Sequence, residues 1–122
     1  MTHPVSPAAV CCARAFMVRV LPGQESAYER YLRDVVEPID AMAHEAGVFA
    51  HMHALRPEGV GADWTHARVF FFADEAQRQR FADDMAAAAA RFDGSPAATE
   101  HRKVLAATLR ETVGTSDYRV SG

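Results

Sequence analysis

The sequence predicts an α+β fold in which one four-stranded antiparallel sheet carries helices on one face. Three observations predict it. Two apolar runs, VFAHMHAL (48–55) and WTHARVFFFA (64–73), flank a loop rich in Pro and Gly and read as paired antiparallel strands. Residues 24–46 repeat apolar side chains at steps of three and four, the period of a helix. Two further helical segments with capping residues then lead into a short β-prone end, TSDYRV.

Taken in order, residues 1–12 hold Pro4 and Pro7 without periodicity and read as a flexible leader, so the single domain spans 13–121. Residues 13–21 (ARAFMVRVL) form the first strand, and Pro22-Gly23 turns the chain. The first helix places Tyr28, Leu32, Val35, Ile39, Met42 and Ala46 on one face, with Glu25, Glu29, Arg30 and Arg33 mostly on the other. Pro38 interrupts this pattern. It has no N–H for the Asp34 carbonyl, which predicts a kink near Val36. Gly47 is the natural stop. Pro57, Gly59 and Gly61 make the hairpin loop a long one.

Asp74 and Gln77 have capping-box spacing. They start a helix to about Phe92 that buries Phe81, Met85, Ala88 and Phe92. Asp93-Gly94 breaks it, and Ser95-Pro96 caps the next helix. That helix reads to about Val113 with Gly114 as its stop, a strand over 104–113 being the competing reading. Residues 115–120 close the sheet. Strand, helix, strand, strand, helix, helix, strand is the ferredoxin-like split βαβ order.

The length of 122 residues suits one domain, and 49% hydrophobic with 24% charged residues excludes a disordered chain. A net charge of −3 offers no footprint for nucleic acid. No apolar stretch approaches the roughly 20 residues of a membrane helix, and the N-terminus lacks the form of a secretory signal. Cys11 and Cys12 are neighbours and cannot staple the fold, so a reducing cytoplasm is expected. The two read as small hydrophobes leading into the first strand; a thiol pair for metal or redox sensing is the sharper alternative.

Alternation along the strands sorts side chains onto two faces. The apolar sets, Val48/Ala50/Met52/Ala54 and Ala67/Val69/Phe71/Ala73, are expected under the helices, since an unpaired charge there costs several kcal/mol. The mixed sets hold His51, His53, His66 and Arg68 with Phe49, Leu55, Phe70 and Phe72. A face both apolar and cationic needs cover, and a second copy is the simplest one. The expectation is a homodimer whose sheets pack through this face.

Between residues 14 and 120 the chain resembles the dimeric α/β-barrel superfamily, and within it antibiotic-biosynthesis-monooxygenase-type domains. The stretches that carry the resemblance are LPGQESAYERYLRDVVEPI, FFFADEAQRQRF, SPAATEHRKVLAATL and DYRV. The resemblance implies a dimer with a ligand cavity between helices and sheet. It implies a small enzyme without a tightly held cofactor, acting on a flat aromatic or polyketide-like molecule. Oxygenase and haem-degrading members use an Asn in the first strand with a Trp and a His; Trp64 could stand for the Trp, and the chain contains no Asn.

His51, His53 and His66 are the candidate catalytic residues, one of them moving a proton. Trp64, Arg68, Tyr28, Tyr31, Met52, Phe71 and Phe81 are the candidate walls for an apolar or aromatic ligand. Two alternatives stay open for the histidines. They can hydrogen-bond across a dimer interface, or form a three-nitrogen metal site that Arg68 would oppose. For the protein, a binding or stress-response dimer without catalysis and a metal- or haem-binding member stand beside the enzyme.

Overall fold

A computed structural model of the chain describes residues 9–121, and most of the expected leader lies outside them. The elements are β1 (Cys12–Val20), α1 (Glu25–Tyr31), a π-helical turn (Leu32–Val36), α2 (Glu37–Glu45), β2 (His51–Leu55), β3 (His66–Phe72), α3 (Glu75–Asp93), α4 (Pro96–Leu109) and β4 (Arg110–Arg119). The sheet order is β2-β3-β1-β4 with every pair antiparallel, the split βαβ arrangement.

The kink expected at Pro38 is a π turn. The Glu37 N–H reaches back to the Leu32 carbonyl, five residues away, and Pro38 then enters the first turn of α2, where its missing donor costs nothing. This turn also rotates the helix. The inward residues of α2 are Ile39, Asp40 and Ala43, so the face expected from strict α periodicity slips and Asp40 is brought under the helix.

α3 starts as its sequence requires: Asp74 accepts from the Gln77 N–H at 2.8 Å, and the Gln77 side chain accepts from the Ala73 N–H at 2.7 Å. Gly94, at φ 85°, ends it in the left-handed region. Ser95 caps α4. α4 ends at Leu109 rather than Val113, and the sheet takes over at Arg110. The expected stop, Gly114, lies within β4 beside a register shift opposite Met17/Val18. Phe92 is 37% exposed rather than inward.

The larger correction concerns the two faces. Register pairs Ala54 with Arg68, Met52 with Phe70, Phe16 with Arg68 and Val18 with His66, so these side chains share a face. It is the helix-covered one: Phe70 and Phe72 pack on Phe81 of α3, and Arg68 and His66 meet α2 and α1. The open face carries Ala13, Ala15, Met17, Ala67, Val69 and Phe71 with His51, His53 and Leu55. A bend at Ala50 breaks the alternation and turns Phe49 inward onto Phe70. The cationic face can lie under the helices because the helices supply carboxylates to Arg68 and His66. No helix among the described residues is long and apolar enough to cross a membrane.

Candidate functional site

Between the α1–π–α2 arm and the sheet lies a cleft of about 610 Å³. Its apolar walls are Phe16, Val18, Leu32, Val36 and Met52; Tyr28, Glu29, Asp40, His66, Arg68, Arg110 and Thr112 add polar groups. Helix and strand ends set these residues facing each other: α1 brings Tyr28 and Glu29, α2 brings Asp40, β3 brings His66 and Arg68, and β4 brings Arg110.

His66 is held on three sides. Its Nδ1 is 2.9 Å from Thr65 Oγ1, its Nε2 is 3.3 Å from Glu29 Oε1, and the Tyr28 ring stands edge-on at 5.1 Å. Thr65 Oγ1 already accepts from the Val20 N–H at 2.9 Å and points its hydroxyl toward the Val18 carbonyl at 3.4 Å. Its remaining lone pair can accept an Nδ1–H, and in that tautomer Nε2 turns a bare lone pair toward Glu29. Once Nε2 carries a proton, its hydrogen bond holds the Glu29 carboxyl below its usual range, with Arg56 adding to the effect.

Arg68 donates to Asp40, a carboxylate only 6% exposed. Burial pushes the Asp40 carboxyl up and the Arg68 charge pulls it back. The Arg68 guanidinium lies over the Phe70 ring, 4.9 Å from its centroid. Its Nε is buried with no partner among the described residues, and so is the Nε of Arg110. Burial also raises the Tyr28 phenol, an effect that the Arg110 and Arg68 charges oppose.

Of the residues expected at the site, Tyr28, Met52, His66 and Arg68 line this cleft together. His51 and His53 do not join them. They are on the opposite face from His66, with the His53 ring 5.6 Å from Phe71, so the three-nitrogen arrangement of His51, His53 and His66 is not formed. Phe71 likewise belongs to the open face. Tyr31 is buried with Val20, Ala106 and Leu109, and Phe81 is buried among Phe70 and Phe72, both as core. Trp64 is partly buried just ahead of β3 and is not a cleft wall.

Glu29, Asp40, Thr65 and Arg110 complete the site without being anticipated. Glu29 reads as a solvated helix charge and Asp40 is hidden by the π turn. Arg110 falls in a stretch that reads as helix. Elsewhere, Cys11, Cys12 and Glu75 present ligand-type atoms within 4.8 Å of one another. Glu75 is engaged by Arg78 at 2.6 Å, and burial pushes the Cys12 thiol up to about 11, which favours the two hydrophobic thiols that the sequence suggests.

No protein-family model matches the chain, and no curated protein matches it. Solved structures do. HapK from Hahella chejuensis is 15% identical at a TM-score of 0.58, over 91% of this chain and 93% of its own. A dabb family protein with a ferredoxin-like fold from Mesorhizobium loti is 18% identical at 0.55, over 93% and 98%. A dimeric protein of unknown function with a ferredoxin-like fold from Bacteroides fragilis is 12% identical at 0.55, over 90% and 96%. At such identities the shared layout speaks for architecture alone, and it shows that this chain has the ferredoxin-like α+β fold also found in dimeric proteins.

Proposed function

We propose that the protein is a small enzyme that needs no tightly held cofactor, of the antibiotic-biosynthesis-monooxygenase type. It acts on a flat aromatic or polyketide-like molecule held in the cleft. One observation carries this reading: a histidine fixed between Thr65 and Glu29 shares an apolar-walled cleft with the Arg68 guanidinium that Asp40 holds.

His66 Nε2 takes the proton from an acidic C–H or hydroxyl of the substrate, and Glu29 pairs with the imidazolium that results. The electron pair left behind moves onto the substrate's carbonyl oxygen, which the positive charge of the Arg68 guanidinium on the cleft wall stabilises. Asp40 keeps that guanidinium in place. Returning the proton to a different atom completes an isomerisation; in a cyclisation the carbanion adds to a carbonyl carbon of the same molecule and the proton goes to that carbonyl's oxygen. With O2 as co-substrate, the carbanion of a methylene instead adds O2 and takes back a proton to give a hydroperoxide, which loses water to leave a carbonyl at that carbon. Exchange of the acidic methylene protons of anthrone, followed by mass spectrometry in D2O without oxygen, tests the proton step. Incorporation well above the buffer rate is expected; a rate equal to buffer would overturn the reading.

A second copy of the chain is the proposed cover for the open face. Met17, Val69 and Phe71, partly exposed around the buried Ala13, Ala15 and Ala67, form a shallow apolar surface with no helix over it among the described residues, and His51 and His53 at its side are suited to hydrogen bonds across a two-fold axis. Sedimentation should give a dimer for the native chain and a monomer for Val69→Arg. A native monomer at micromolar concentration would contradict this.

A further inference from the structure

We infer that Cys11 and Cys12 form a capture site for a trivalent arsenical, which both thiols bind together, with the Glu75 carboxylate beside it. The site lies in a hollow at the start of β1 that shares no residue with the cleft, so the inference stands apart from the function proposed above.

Neighbouring residues of a strand point to opposite faces, and these two thiols do not. Cys12 opens β1 opposite Phe72 and is buried in the cluster that holds Phe72 and Phe81. Cys11 lies just ahead of the strand. Its N–H donates to the Phe72 carbonyl at 2.8 Å, and its side chain packs on the same cluster. The two Sγ atoms are 2.7 Å apart. Glu75, in the first turn of α3, brings a carboxylate oxygen within 4.8 Å of both. A hollow of about 500 Å³, lined by these three with Arg78, Asp117 and Arg119, leads to the pair.

The chemistry of the pair selects the ligand. A divalent cation binds thiolates, so it must first displace their protons, and burial pushes the Cys12 thiol up to about 11. The Arg78 guanidinium, 2.6 Å from Glu75, adds a positive charge that repels cations from the hollow. A tetrahedral zinc would also hold its sulfurs about 3.8 Å apart. Arsenous acid is neutral and takes thiols in their protonated form. Two S–H and two As–O bonds break, two As–S bonds form, and two molecules of water leave. Arsenic stays trivalent, and nothing is oxidised or reduced. Bonds at trivalent arsenic stand close to right angles, so its sulfurs sit nearer together than those of zinc, as two adjacent residues on one face require. The remaining As–OH donates to the Glu75 carboxylate. Buried, protonated thiols are thus the form in which this ligand is taken.

The test incubates the chain with sodium arsenite or with zinc chloride, a phosphine keeping the thiols reduced. The element retained after gel filtration is then counted by plasma mass spectrometry. The native chain should retain one arsenic per chain from micromolar arsenite. Cys11→Ser and Cys12→Ala should each bind it roughly tenfold or more weakly, since only one As–S bond is left. Glu75→Gln should weaken binding severalfold. The urea-unfolded native chain should also bind more weakly, because it no longer holds both thiols on one side. Retention of zinc in preference to arsenic, no retained arsenic, or equal retention by the native chain and Cys11→Ser would each overturn the inference. Should Cys12→Ala fail to fold, the comparison of the native chain with Cys11→Ser still decides.

Discussion

Replacing His66 with Ala should slow the exchange of anthrone's methylene protons by about a hundredfold or more, the usual contribution of a positioned general base. His53→Ala should leave the rate within about twofold, because His53 lies across the sheet from the cleft. Glu29→Gln should fall between them. It removes the carboxylate that stabilises the imidazolium but keeps the histidine and its bond to Thr65. The pattern across the three variants carries the information. Equal losses for His53→Ala and His66→Ala would point to a role for the open face, and no loss at either would leave the proton step without its residue.

Arg68→Met should destabilise the protein by about 2–4 kcal/mol near neutral pH, the cost of stranding a buried carboxylate, reduced because Arg68 itself is partly exposed. The pH dependence identifies the cause. Asp40 already has its carboxyl raised from the ordinary 3.8 by burial, with Arg68 opposing that rise. Without Arg68 the carboxyl rises further. A carboxyl raised in the folded state contributes stability that is present below its ordinary pKa and lost as pH climbs through its folded value. The deficit of Arg68→Met relative to the native chain should therefore be smallest below about pH 3.8 and grow toward neutrality. Adding Asp40→Leu should recover most of it, since a matched pair of apolar groups leaves no charge stranded. Urea melts between pH 3 and 8 would check this. A deficit independent of pH would trace the loss to packing against Phe70 instead.

The order of elements is legible in the sequence because each has a local cause. Period-two and period-three-to-four patterns fix the strands and helices, and Asp74, Gly94 and Ser95 mark helix ends with their own hydrogen bonds or backbone angles. The end of α4 is not legible: residues 104–113 carry helix-compatible apolar spacing, and only pairing with β1 draws Arg110 onward into the sheet. The assignment of faces fails for β3 for a different reason. The premise that a buried charge needs a partner holds, but the partner of Arg68, Asp40, comes from a helix whose inward side depends on a π turn. Strict α periodicity hides Asp40, while Glu29 is as exposed as its helix face suggests and reaches His66 from there. Four of the ten anticipated site residues, Tyr28, Met52, His66 and Arg68, meet in one cleft. The histidines of β2 do not, because the register of β2 against β3 sets His51 and His53 beside Phe71 and Val69 instead of His66.

The most direct measurement is the position of bound anthrone, read from nuclear Overhauser effects to the methyl groups of a methyl-labelled protein. Contacts to Met52, Leu32 and Val36 are predicted, the methyls that wall the space between the helical arm and the sheet. Contacts to Val69 and Met17, on the far side of the β layer, would contradict the account.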